Sequence, residues 1–471
     1  MLAIISDLHL TDASTATNVD KSAFALLSSE IITSADVHRA TELHLVLLGD
    51  IFDLVRTDYW HCCYGDDPAS RPWGGTADPQ TGMNTSPQVE QDFIAILGRV
   101  LATDSSQALL AMIASLAAWC NSRAIPFNVT YVIGNHDRML YNYPFLKQII
   151  VQAMPVAANF TANNFSDKVN EPAYGLLARH GWEWDLDCYG LSYYNKKLSP
   201  GTKKVIFDPA INNVIAYGEV VTTEVMAGLI FYARENLGLN VDPSRQNQQD
   251  IILLNQLREL NNLRPLDEVV NWFPWILENF PPEKKDLVLN ALQSALKNAL
   301  NCRLAKDWPD DGGVLSSMST LNAYYFGNIF QKAGLVLKVI GGKIAGVFSH
   351  AQEPLIKGAQ SDFAEAARGY YYVVYGHTHL SQQNCFTAHL QGNSELYVNT
   401  GTFLPVIEGT TDASGNSTKS YSTSYAMTLA FFYKADEDMS GKNPGDTRPT
   451  MEYWDGRRRK TYIPAEVKKC P

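Results

Sequence analysis

Five times in this sequence a short apolar run gives way, within two residues, to Asp, Asn or His. The clusters are Asp7-Leu8-His9, Gly49-Asp50-Ile51-Phe52-Asp53, Gly134-Asn135-His136-Asp137, His180-Gly181 and Gly376-His377-Thr378-His379. Runs this short and this apolar read as buried strands. Between them lie stretches with helical spacing: 21–34, where Phe24, Leu27 and Ile31 recur on one face, then 88–102 and 107–123. Strands alternating with helices, with polar residues at the strand ends, indicate an α/β fold. Such sheets bind their ligands at the carboxyl ends of the strands. A chain folded this way gathers all five clusters at one place. His377 and His379 alone would be a weak signal, but the other clusters supply oxygen and nitrogen donors to match.

The pattern also divides the chain. Residues 1–208 and 347–435 carry the α/β alternation, the second part with a helix at 360–368 and strands at 370–375, 396–399 and 425–433. Residues 209–346 are mostly helical in pattern (219–237, 248–262, 267–280 and 283–304), with Leu289, Leu292, Leu296 and Leu300 on one face of the last. This reads as an insertion packed on or beside the core, and a candidate lid. Residues 436–471 read as a polar, irregular tail. The 57–87 loop, rich in Gly, Pro, Asp and Thr and holding Trp60, His61 and Trp73, is long enough to be functional or mobile.

Composition narrows the function class. The 471 residues are 46% hydrophobic and 18% charged, which suits a sizeable core. A formal net charge of −11 argues against a broad nucleic-acid surface. The one dense basic run, Arg457-Arg458-Arg459-Lys460, reads as solvated tail. The first strand runs straight into Asp7 with no basic segment or cleavage site, and no uninterrupted apolar run reaches the ~18 residues of a membrane helix. The odd count of seven cysteines has no framework spacing and fits reduced thiols. The expectation is a cytoplasmic protein with no transmembrane segment.

Mixed Asp, Asn and His donors suit borderline metals such as Mn, Fe or Zn; an all-oxygen set would suit Mg or Ca, and thiolates structural Zn. Two metals roughly 3.5–4 Å apart need a bridging ligand. Asp50, central among the clusters and preceded by a glycine that permits a tight turn, is the natural bridge.

Asp-x-His, Gly-Asp-x-x-Asp, Gly-Asn-His-Asp, His-Gly and Gly-His-x-His, in that order, resemble the motifs of the calcineurin-like metallophosphoesterases. The likeness covers about 1–185 and 350–435. It implies a two-sheet sandwich flanked by helices, and two metal ions. One would be held by Asp7, His9, Asp50 and His379, the other by Asp50, Asn135, His180 and His377. It also implies a phosphate mono- or diester substrate, attacked by a metal-bridging hydroxide. His136 would touch the phosphate or protonate the leaving oxygen, oriented by Asp53. Asp137 is expected to bond backbone at its turn, and Arg138 to form an exposed salt bridge or reach a phosphate oxygen. For the fourth motif His180 is favoured over His350, which also follows an apolar run.

The insertion shares no motif with that family. Its aromatic residues (Trp272, Phe273, Trp275, Phe280, Tyr324, Tyr325, Phe326) fit either a small helical core or an apolar groove for a lipid-like or nucleotide substrate. UDP-diacylglucosamine pyrophosphohydrolases, in the same superfamily, carry a helical lid in the corresponding position, but usually have Asn-Arg where this chain has Asn135-His136. His61 is a candidate substrate contact. Two other readings stand beside the enzyme: a metallophosphoesterase fold used as a binding scaffold, and a nuclease, against which the acidic balance weighs.

Overall fold

Three short runs, β1 (Leu2–Ile5), β2 (Leu43–Leu48) and β3 (Phe127–Val132), lie side by side and parallel. The computed structural model describes residues 1–240, 246–264, 269–278, 280–309, 352–365, 369–387, 394–411, 414, 417–438 and 448–462. Downstream come β4 (Phe165–Ser166), β5 (Val169–Glu171), β6 (Leu176–Ala178), β7 (Tyr372–Tyr375), β8 (Ser381–Thr387) and β9 (Glu395–Thr400). The last three are β10 (Pro405–Thr411), β11 (Ser417–Tyr433) and β12 (Thr450–Tyr462). They form two mixed sheets. One runs β10-β11-β1-β2-β3-β4 with β12 on the free edge of β11; the other runs β5-β6-β7-β9-β8.

Period-two alternation explains how the sheets stack. Leu2, Ile4, Val46 and Leu48 point one way, into a buried layer shared with Leu176, Ala178, Val374 and Val398 of the second sheet. Ala3, Ile5, Leu45 and Leu47 point the other way, onto α1 (Lys21–Val37), α2 (Pro87–Leu101) and α3 (Asp104–Arg123). The far face of the second sheet, with Val373, Tyr375 and Tyr397, is covered by Leu355, Ala359 and Phe363 of the helix Gln352–Glu365. Strands buried on both faces read as continuous apolar runs, which is why β1 and β2 stand out in the sequence. A one-residue slip would turn each strand's two apolar sets inside out.

The helices start where capping chemistry allows. Asp20, Ser86 and Thr103 accept backbone N–H groups at the starts of α1, α2 and α3, and Pro87 occupies the first turn of α2.

The helical segment after β6 shares the core of α1–α3: Val220, Leu229, Ile230, Leu253, Leu257, Leu292 and Leu296 belong to the same apolar cluster as Phe24 and Phe93. Helix Pro282–Asn301 turns inward Val288, Ala291, Leu292, Ala295, Leu296 and Ala299, leaving Leu289 and Leu300 on the flanks of the expected face. The 57–87 stretch is pinned to this segment. Trp60 and Trp73 are buried, Trp73 Nε1 donates to Glu224 at 2.9 Å, and Arg71 pairs with the same carboxylate.

Two expectations are corrected. Residues 450–462 are not irregular tail but β12, paired with β11 from Tyr421 to Tyr433. The long open edge of β11 supplies the backbone partners, while Met451 and Tyr453 pack towards the inter-sheet layer. The basic run 457–460 lies in that strand, opposite Ala426 to Thr423. Arg138 forms neither an exposed bridge nor a phosphate contact: it is fully buried, its Nε and Nη2 donating to Glu219 at 2.6 and 3.0 Å. Residues 324–326, His350 and His389 lie outside the described residues.

Among the described residues one helical run, Ile211–Asn236, is long and apolar enough to cross a membrane, and 78% of its apolar window is buried within the protein. Helices α2 and α3 pass that test only jointly, across a 72° bend. Breaking a buried ion pair from one side strands the other charge. Glu219→Ala is therefore expected to destabilise the fold by about 3–5 kcal/mol, read as a lowered urea midpoint, whereas Arg138→Met with Glu219→Leu should lose markedly less.

Candidate metal centre

Parallel pairing puts the carboxyl ends of β1, β2 and β3 in the first sheet, and of β6 and β7 in the second, at one edge of the molecule. Asp7, Asp50, Asn135, His180 and His377 each follow within three residues of a strand end. Asp7, His9, Asp50, His377 and His379 all adopt left-handed backbone, with φ between 42° and 70°. Such conformations cost about 1–3 kcal/mol each in ordinary residues and persist only where surrounding structure enforces them. The enforcement here is visible. Asp7 N–H donates to Gly49 O at 3.1 Å, His9 N–H to Asp50 O at 2.9 Å, and Gly376 N–H to His180 O at 3.0 Å. Glycines permit the close approach: a Cβ on Gly49 would strike the His180 ring, and one on Gly376 the Asp7 carboxylate.

Two donor groups result. In the first, Asp7, His9 and His379 converge, with His9 Nε2 2.8 Å from His379 Nε2, and 3.8 and 3.7 Å separating these two nitrogens from Asp7 Oδ1. In the second, His180 Nε2 lies 3.2 Å from Asn135 Oδ1, which is 3.0 Å from His377 Nδ1. Asp50 Oδ2 belongs to both, 3.6 Å from His9 Nε2 and 3.3 Å from His180 Nε2. All seven predicted ligands thus meet, and the shared carboxylate is the one expected.

The far ring nitrogens decide which nitrogen each histidine offers. His9 Nδ1 bonds Asp53 Oδ2 at 2.9 Å, His180 Nδ1 bonds Leu48 O at 2.9 Å, and His377 Nε2 bonds Asp185 Oδ2 at 3.0 Å. In each case the outer partner is an acceptor, which favours a proton on the outer nitrogen and directs the inner nitrogen, once the ring is neutral, to the cluster. His379 is the exception: its Nδ1 meets Arg264, a group that can only donate.

Electrostatics match a cation site. Burial pushes the Asp7 carboxyl up to about 6. Burial opposes the charged form of His180, yet Asp50 and Asp7 outweigh it and raise the imidazole to about 10. Despite burial, His180 and His136 hold Asp50 below the usual carboxylate range. Burial, reinforced by Arg56, lowers His9 to about 3, so it stays neutral and able to ligate. The carboxylate, amide and imidazole donors, without thiolate, fit a borderline divalent or trivalent cation at each group.

No protein-family model and no curated protein matches the chain.

The remaining site residues fall into place around the donors. His136 Nδ1 lies 2.8 Å from Asp53 Oδ2, bent away from a straight N–H···O line. Asp53 is fixed in turn by the backbone N–H groups of Val55 and Arg56, at 3.0 and 2.9 Å, so one carboxylate orients both His9 and His136. Asp137 is structural: its carboxylate accepts from Gly134 N, Ile51 N and Tyr131 Oη. His61 is buried away from the donors, bonded to Thr223 O at 3.1 Å and stacked on Phe231. Of the insertion's described aromatics, Trp272, Phe273 and Phe280 are buried in the core.

Three residues were not assigned from sequence. Asp185 had a signal, its place just after His180-Gly181. Arg56 and Arg264 had none, being single charges with no periodic context.

A metal taken up at the second group would displace the His180 proton. Apparent affinity should therefore rise with pH across neutrality, as the raised pKa requires, and Mn²⁺ titration of metal-free protein should release protons into a weak buffer. Asp185→Asn is expected to weaken the second site about 10–100-fold, leaving the first filled, as measured by metal content after dialysis.

Proposed function

We propose that this protein is a phosphoesterase of the calcineurin-like metallophosphoesterase type, working with two metal ions. The observation that carries the reading is the shared carboxylate, Asp50 Oδ2, within 3.6 Å of the first donor group's His9 and 3.3 Å of the second's His180. A protein with a single structural metal has no use for a carboxylate so placed. The helix-covered pair of stacked sheets supports the same reading, as does the order of the five motifs.

Metals held by Asp7, His9, Asp50 and His379, and by Asp50, Asn135, His180 and His377, would supply Lewis acidity and lower the pKa of water at neutral pH. The chain's own residues do the rest. Asp53 holds a proton on His136 Nδ1 and turns Nε2 towards the substrate. As the water oxygen bonds to phosphorus and the ester P–O bond breaks, His136, carrying a second proton on Nε2, gives it to the departing oxygen; the proton shed by the attacking water passes to solvent, from which Nε2 is reprotonated. The products are an alcohol and a phosphate in which the oxygen of water has replaced the ester oxygen. Asp53 stabilises the ring on both sides of that transfer and keeps His9 in its ligating tautomer. His136 lies outside both ligand sets given above, with Nδ1 2.8 Å from Asp53 Oδ2, and this favours catalysis over a binding scaffold.

The test is the initial rate on nitrophenyl phosphate and bis(nitrophenyl) phosphate, using metal-stripped protein reloaded with Mn²⁺. Turnover should require metal, and His136→Ala should lower kcat/KM by about 10²–10⁴-fold with metal content unchanged. No turnover of either ester, with two metals bound, would overturn the enzymatic reading.

A further inference from the structure

The described structure buries four arginine side chains: Arg56, Arg71, Arg138 and Arg179. Arg71 pairs with Glu224, Arg138 with Glu219 at 2.6 Å, and Arg179 with Asp362 at 3.2 Å. Arg56 does not follow them. Its side chain is 8% exposed, its nearest carboxylate oxygen is Asp53 Oδ2 at 3.5 Å, and its Nε and Nη1 make no hydrogen bond. That carboxylate oxygen is already engaged by His9 and approached by His136. A buried guanidinium with two unpaired nitrogens carries a desolvation cost that an incoming anion would remove.

A second cation lies against His379, whose Nε2 is 2.8 Å from the His9 ring that Asp53 also holds. Arg264 comes from the helical segment, yet its backbone is stitched to the core. Leu263 bridges Ile407 of β10, and Arg264 N–H donates to Ile407 O at 2.8 Å. Its Nη1 donates to the carbonyls of Leu263 and Asn261, at 2.6 and 3.2 Å, while Nη2 faces His379 Nδ1. If His379 offers Nε2 as a ligand, Nδ1 carries the hydrogen and cannot accept from Arg264. Nη2 then has no acceptor among the described residues. The two arginines also feel each other: burial and the charge of Arg56 both lower the pKa of Arg264.

The geometry points to an anion subsite built by Arg56 and Arg264 beside His136 and His379, shaped for the terminal, dianionic phosphoryl group of a phosphomonoester. A monoester presents three non-bridging oxygens and up to two negative charges. A diester presents two oxygens and one charge, with an ester substituent where the third oxygen would be. Two guanidiniums, each a fork of donors, match the first and are underused by the second. The inference rests on the phosphoesterase reading and narrows it to monoester hydrolysis, with the helical segment supplying a specificity residue.

Two measurements test it. Calorimetric titration of inorganic phosphate into Mn²⁺-loaded protein should show affinity weakened about tenfold or more by Arg56→Gln and by Arg264→Gln, with metal content equal to wild type. In rate assays, kcat/KM for nitrophenyl phosphate should fall at least about tenfold further than that for bis(nitrophenyl) phosphate in the same variants. Phosphate affinity within about threefold of wild type, or equal losses on both esters, would overturn the subsite. Should Arg264→Gln fail to fold, Arg264→Lys keeps the charge but not the fork and should still bind phosphate more weakly; unchanged affinity would count against the proposal. If wild type hydrolyses neither ester, the functional reading fails while the phosphate titration still decides the subsite.

Discussion

Everything at the candidate centre depends on placing the Asp50 carboxylate in a buried position where it is not left alone. Its Oδ1 accepts the backbone N–H of His136 at 2.8 Å, and its Oδ2 lies between His9 and His180. A buried carboxylate with such neighbours is costly unless positive charge compensates it. The fold supplies some through His180, and two cations would supply the remainder. The left-handed turn at Asp50, the glycines around it and the parallel strands beneath all follow from bringing one oxygen to that point.

The second organising feature is the joining of the helical segment to the core. Glu219 holds Arg138 just after the third motif, Glu224 holds Arg71 and Trp73 of the long loop after the second, and Arg264 reaches the fifth. A segment tied at three motif-bearing regions is part of the framework that sets the site's shape. Its aromatics Trp272, Phe273 and Phe280 are buried in that framework, and what it brings to the donor cluster is the charge of Arg264.

The donors were legible in the sequence because each follows a strand buried on one or both faces, and such strands announce themselves as apolar runs. His180 stood out in the sequence by its neighbouring glycine, which the structure packs against Tyr375 and Leu355, while His350 lies outside the described residues. Edge strands were not legible. Strand β8 reads Ser-Gln-Gln-Asn-Cys-Phe-Thr, and β12 carries four consecutive basic residues, so their partners, not their composition, make them strands. The burial of Arg138 was hidden for a similar reason: its acid lies 81 residues away. Periodicity reveals which face of an element is apolar, but not which element it meets.

His9 and His379 approach to 2.8 Å across a separation of 370 residues, one from each sheet. A cation gripped there would act as a clasp between the two layers, closing a loop that spans most of the chain. Because the donors converge only once the sheets have stacked, the ion would bind the folded state and scarcely the unfolded one, and so would add to stability in proportion to the logarithm of its concentration. The same atoms that would activate a substrate would then also fasten the fold, and the supply of metal would govern how long the protein lasts as well as how fast it works.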